Sequence, residues 1–86
     1  MQVQNLMVLV EACAVRKAEA TPKGDGWAVW IVHATRQGER REPLERQRGG
    51  VRKFATLDAV ANALDAAGID EFCVNLRSGE GSSDGR

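Results

Sequence analysis

Histidine and cysteine are scarce in this chain: His33 is the only histidine, and Cys13 and Cys73 are the only cysteines. The two thiols lie far apart in apolar neighbourhoods, form no C-x-x-C pair and have no histidine close in sequence to complete a metal site. They read as reduced, semi-buried thiols of a cytoplasmic protein. His33 has no carboxylate or thiol at a spacing that suggests a triad or a metal centre, so it reads as a structural or surface residue. Long apolar runs are also missing. The run "LMVLV", Leu6 to Val10, is too short for a bilayer and lacks the basic lead-in and small-residue cleavage site of a signal peptide. "GEGSSDG" has no G-K-[ST] and opens no helix, and Asp70-Glu71 sit where solvated acids are ordinary. These absences predict a protein that is not an enzyme, holds no metal or cofactor, takes no small-molecule substrate and stays in the cytoplasm.

Net charge is missing too, since 12 Lys and Arg balance 12 Asp and Glu. Bulk attraction to nucleic acid or to an anionic membrane therefore has no basis in the sum. The distribution says more. Residues 36–53 hold seven cations and three acids, an excess of +4, whereas residues 54–86 hold six acids and two arginines, an excess of −4. With 86 residues, 43% hydrophobic and 28% charged, the chain suits one small globular domain over residues 1–77. Much of its apolar fraction is alanine, so the core is thin, and small cores often gain stability by association. A homodimer is the expected state.

The segment "LMVLVEACAVRKA" is ambiguous. Val8, Val10, Ala12 and Ala14 alternate as on a strand, while Leu6, Val10 and Cys13 fall at helical spacing; the recurring valines favour the strand. "TPKGDG", Thr21 to Gly26, is turn chemistry. "WAVWIVHAT", Trp27 to Thr35, is the strongest strand, apolar on both faces. Arg40 to Arg48 return as a polar strand in which Pro43 belongs at an edge or bulge, and Gly49-Gly50 break it. Thr56 to Ala67 read as a helix with a Thr56 cap, Asp58 near its positive end, a stripe of Leu57, Val60, Ala61 and Leu64, and Gly68 at C′ with Ile69 touching Leu64. "EFCVNLR" then alternates Phe72, Val74 and Leu76 inward, and residues 78–86 read as a disordered tail.

The order strand, strand, strand, helix, strand gives an α+β fold: a small, mostly antiparallel sheet of about four strands with one helix on one face. The other face is left uncovered, with either Trp27 or Trp30 on it, and is the expected surface for self-association. Register decides which tryptophan, because a shift of one residue exchanges the faces. The cations Arg36, Arg40, Arg41, Arg46, Arg48, Arg52 and Lys53 allow three readings. They form a solvated, salt-bridged edge, since Glu39, Glu42 and Glu45 interleave with them, or they bind nucleic acid sheet-first, or they bind an acidic protein partner.

Taken together, "GWAVWIV", "RGGVRKFATLDAVANAL" and "GIDEFCVNL" resemble small plasmid-encoded ParC-type partition-associated proteins, over roughly Trp27 to Leu76. The resemblance implies a non-enzymatic accessory role in bacterial plasmid partition or maintenance, through contact with partition proteins or their DNA site. It offers no catalytic residues to carry over, and Met1 to Leu9 lie outside the matching stretches. A fainter similarity is to the arm-type DNA-binding domains of phage integrases, from which the final strand departs. The implied function is an accessory binding protein acting through protein contacts, with a sheet-first DNA-binding module using residues 36–53 as the alternative.

Overall fold

The computed structural model describes residues 1–77, so the expected tail at 78–86 lies outside the described residues. Six elements follow one another: α1 (Val3–Glu11), β1 (Val15–Lys23), β2 (Gly26–Thr35), β3 (Gly38–Pro43), α2 (Leu57–Ala66) and β4 (Cys73–Val74). The strands form one sheet in the order β3-β2-β1-β4, antiparallel except for the parallel β1/β4 pair. The class is α+β with a small four-stranded sheet, as expected, and Pro43 does lie on an edge strand.

The N-terminal segment corrects the sequence reading, because residues 3–11 are a helix and the first strand begins only at Val15. Helical spacing wins over the alternating valines: Leu6 is buried and Val3 and Val10 pack beside it, while Val8 is 65% exposed. The helix ends in a Schellman motif, with the Ala14 N–H donating to Leu9 O and the Cys13 N–H to Val10 O. Its C′ residue is Cys13, at φ 58°. That position usually holds glycine, and a cysteine there disguises the stop. Contrary to the sequence reading, Cys13 and Cys73 are both exposed.

A second correction concerns the first reversal. Thr21, Pro22 and Lys23 belong to β1, and Pro22 pairs with Trp27. The turn is Gly24-Asp25 alone, with Gly24 at φ 60°, as a two-residue hairpin of this hand requires. Gly26 is needed for a different reason. The segment before α2 folds back so that Phe54 exchanges backbone hydrogen bonds with Trp27, both 2.8 Å, and a Cβ on Gly26 would collide with the Phe54 carbonyl oxygen.

Helix α2 follows its sequence signals. The Thr56 hydroxyl accepts from the Ala59 N–H at 3.1 Å, and the Ile69 N–H donates to Leu64 O at 2.9 Å past Gly68 at φ 96°. Both helices lie on the same face of the sheet. Leu6 of α1 and Val60 and Leu64 of α2 share one core with Ala18 and Ala20 of β1, Val29 and Ile31 of β2, and Leu44 and Phe54. The two alanines of β1 leave room for those larger helical side chains. Among the described residues no helix is long and apolar enough to cross a membrane. Phe72, Val74 and Leu76 alternate onto the helix side as expected, but only Phe72 packs against the core; Val74 is 43% and Leu76 73% exposed.

Two substitutions test this backbone account by urea denaturation. Cys13→Gly relieves the left-handed strain and raises stability by about 1 kcal/mol. Gly26→Ala lowers it by roughly 1–3 kcal/mol by forcing the two chains apart. A Cys13→Gly protein no more stable than the parent would show that the turn is not strained.

Candidate functional site

Alternation along β2 settles which tryptophan lies where. Trp27, Val29, Ile31 and His33 face the helices, and Trp27 packs partly buried against the core. Ala28, Trp30, Val32 and Ala34 face the other way, onto a surface that neither helix crosses. Cross-strand pairing adds Lys17, Glu19 and Thr21 from β1, and Glu39, Arg41 and Pro43 from β3. Trp30 is half-buried at the middle of this face, opposite Glu19 on one side and Pro43 on the other.

The indole is held by charge. Arg41 stacks over it, its guanidinium carbon 4.3 Å from the ring centroid, and reaches across β2 to donate to Glu19 Oε1 at 2.8 Å. Lys17 adds a second cation, 3.4 Å from Glu19 Oε2. The hydrogen bond from Arg41 holds the Glu19 carboxyl below its ordinary value of 4.5, against the opposing effect of burial and with help from the Arg41 and Lys17 charges. Glu19, Thr21 and Ala28 are buried around Trp30, the one large side chain in that group. The result is a strap of acid, guanidinium and indole spanning three strands, in which the two charges neutralise each other and the aromatic has little rotational freedom.

The seven cations singled out in the sequence do not gather. Only Arg41 lies centrally on the uncovered face. Arg40 opposes His33, on the helix side, and sits 3.8 Å from Glu42. Arg46 turns into its own loop, donating from Nε to Gly49 O at 3.3 Å, and Arg52 stacks over Phe54 at 4.6 Å. Lys53 pairs with Asp25. Arg36 lies in the turn before β3 and Arg48 in the loop after it, at opposite ends of that strand, and neither forms an ion pair with a described residue.

A second polar group sits beneath the helices. His33 Nε2 lies 2.8 Å from Glu42 Oε2, and this bond, ahead of the N-terminal and Arg40 charges, keeps the Glu42 carboxyl below 4.5 although burial pushes it up. An ionised carboxylate only accepts, so Nε2 carries the proton, and Nδ1 is buried without a partner among the described residues. The Met1 ammonium bonds Pro43 O at 2.8 Å and lies 3.2 Å from Glu45, tying the start of α1 to the end of β3. No three metal-ligating side chains converge among the described residues. Sequence reasoning missed both Glu19 and the His33/Glu42 pair. The second was accessible: across a hairpin turning at residues 36–37, His33 opposes Arg40 and lies diagonal to Glu42.

Glu19 and Glu42 both stabilise the fold above pH 4.5, and that stability is lost as pH falls through their lowered folded-state values. Glu19→Gln is therefore expected to cost about 2 kcal/mol at pH 7. The difference should shrink as pH falls below the ordinary carboxyl range and the parent carboxyl takes up its proton. Urea midpoints on acidification from pH 7 measure it, and a gap that stays constant as pH falls would rule out the charge as its cause.

A family model described as ParC-like matches residues 1–79, including the N-terminal helix that lay outside the stretches of resemblance. No curated protein and no solved structure matches the chain.

Proposed function

The chain belongs to the ParC-like family, and from that premise we propose that it is a non-enzymatic accessory protein of plasmid partition or maintenance, working in the bacterial cytoplasm. It acts by holding a protein partner against the uncovered face of its sheet. The observation that carries this reading is Trp30, half-buried on that face and fixed between Arg41 and Glu19. Tryptophan and arginine are the side chains that most often dominate binding energy, and one already ordered loses less entropy when a partner closes over it.

The surrounding charges select the partner. Arg16, Lys17 and Arg41 on this face outnumber Glu19 and Glu39, and Arg16 lies only 4.0 Å from Glu39, a weak surface pair. A complementary surface has an apolar centre and an acidic margin. A sheet-first DNA complex would use the same face in a major groove. It needs several cations on one side, whereas Arg36 and Arg48 lie at opposite ends of β3 and Arg41 is already engaged.

Calorimetric titration against the partition proteins encoded on the same replicon tests the reading. One of them is expected to bind, Trp30→Glu to abolish binding, and Trp30→Phe to retain most of it. Binding that Trp30→Glu leaves untouched would refute the role of this face. A chain that ignores every partition protein but retards duplex DNA, with affinity falling steeply as salt rises, would replace the proposal with the DNA-binding alternative.

A further inference from the structure

The two margins of the sheet are built differently. On the β3 side, Glu39, Arg40, Arg41, Glu42 and Pro43 follow one another along the edge. Charges and proline are the devices by which sheets refuse another strand. On the β4 side, residues 72–76 read Phe-Cys-Val-Asn-Leu without a charge, and Val74 and Leu76 are 43% and 73% exposed.

Backbone parity shows which groups this edge offers. The Asn75 N–H donates to Ala20 O at 2.8 Å, so Cys73 and Asn75 direct their peptide groups at β1. The alternate residues Phe72, Val74 and Leu76 therefore direct theirs outward, where no described backbone group bonds them. The flanks are charged and opposite, with Glu71 before the neutral stretch and Arg77 after it.

We propose that this edge pairs antiparallel with the same edge of a second copy, in the register centred on Val74. A two-fold axis through Val74 brings it against its own copy. It also sets Phe72 opposite Leu76, Cys73 opposite Asn75, and Glu71 opposite Arg77, each contact made twice. Phe72, Val74 and Leu76 then meet only one another and every charge meets its opposite. The outward peptide groups of Phe72, Val74 and Leu76 meet their counterparts as hydrogen-bonded pairs. Glu71 and Arg77 fall at the closer, non-hydrogen-bonded positions. Centring on Cys73 instead puts Asp70 against Leu76 and Ile69 against Arg77; centring on Asn75 puts Cys73 against Arg77 and carries Glu71 past the pairing.

Side-chain placement agrees with this register. Val74 shares the face of Ala20, so Phe72, Val74 and Leu76 of both copies meet on the helix side, where Phe72 already packs against the core. The seam extends that core and doubles the four-stranded sheet. It leaves the face with Trp30 free in each copy, so the inference does not rest on the function proposed above.

Sedimentation of the full chain tests it through charge exchange. The wild type is expected to be a dimer at micromolar concentration. Glu71→Arg and Arg77→Glu should each weaken association by roughly tenfold or more, and the double variant should restore it. Restoration also shows that the single variants had not simply unfolded. Asn75→Cys, paired with the native Cys73 of the other copy, should give a disulfide-linked dimer on mild oxidation. A wild type that stays monomeric at about 100 µM overturns the proposal. So does a dimer that survives both single reversals but is lost in Trp30→Glu, which would assign association to the open face instead.

Discussion

Burial of one face of the sheet under two short helices is the constraint from which the rest follows. Ala18, Ala20, Val29 and Ile31 meet Leu6, Val60 and Leu64, with Leu44, Phe54 and Ala67 in the same cluster, and this single layer of contacts forms the core of the described residues. Among the described residues no second helical layer covers the other face, yet β2 is apolar on both sides. The chain resolves the conflict with its own side chains. Arg41 closes over Trp30 and finds Glu19, so the indole is shielded and the acid neutralised without another element of backbone. Such a solution is local and leaves the aromatic ordered but reachable, the condition a recognition residue needs.

The same one-sidedness explains the fate of the cations. In sequence they form a block of excess positive charge, but β3 is an edge strand whose alternate residues point to opposite faces. Arg40 and Arg41 therefore part company at once, one toward His33 and Glu42, the other toward Trp30. The remaining arginines belong to the turn and loop at its two ends. A run of charge becomes a patch only where the backbone keeps it on one side, and a strand does the reverse.

How much of this was legible in the sequence depended on whether the signal was local. Helix α2 could be read because its cap, stripe and glycine stop are consecutive features of one segment. Helix α1 was misread because Val8, Val10, Ala12 and Ala14 mimic a strand and because Cys13 occupies the left-handed position that a glycine would have announced. Pro22 suggested a turn but sits in β1, pairing with Trp27. In β4 the alternation correctly put Val74 on the inner side, but burial there depends on how far the helices reach, which no local pattern encodes. The contact between Glu19 and Arg41 joins residues 22 positions apart and rests on register across three strands. Composition could announce a half-covered sheet, but only register could say that Trp30, and not Trp27, lies on its open side.

Register itself is set by the two-residue turn and changed upstream by one irregularity. Val15 and Ala18 are three residues apart, yet Val15 opposes His33 and Ala18 opposes Ile31, both on the helix side, which strict alternation forbids. The bulge between Val15 and Lys17 supplies the missing step, with Arg16 as the extra residue. Its consequence is chemical as well as geometric. Because Arg16 is spent on the bulge, Arg16 and Lys17 both turn toward the uncovered face, to Glu39 and to Glu19, while Val15 stays in the core. Between the bulge and the turn, the parity the turn establishes passes unchanged through Glu19 to Cys73 and through Ala20 to Val74. The two-residue turn thus fixes the face on which Glu19 meets Arg41 and, by way of β1, the side on which β4 presents its apolar residues, while a single inserted residue near the start of β1 returns Val15 to the core.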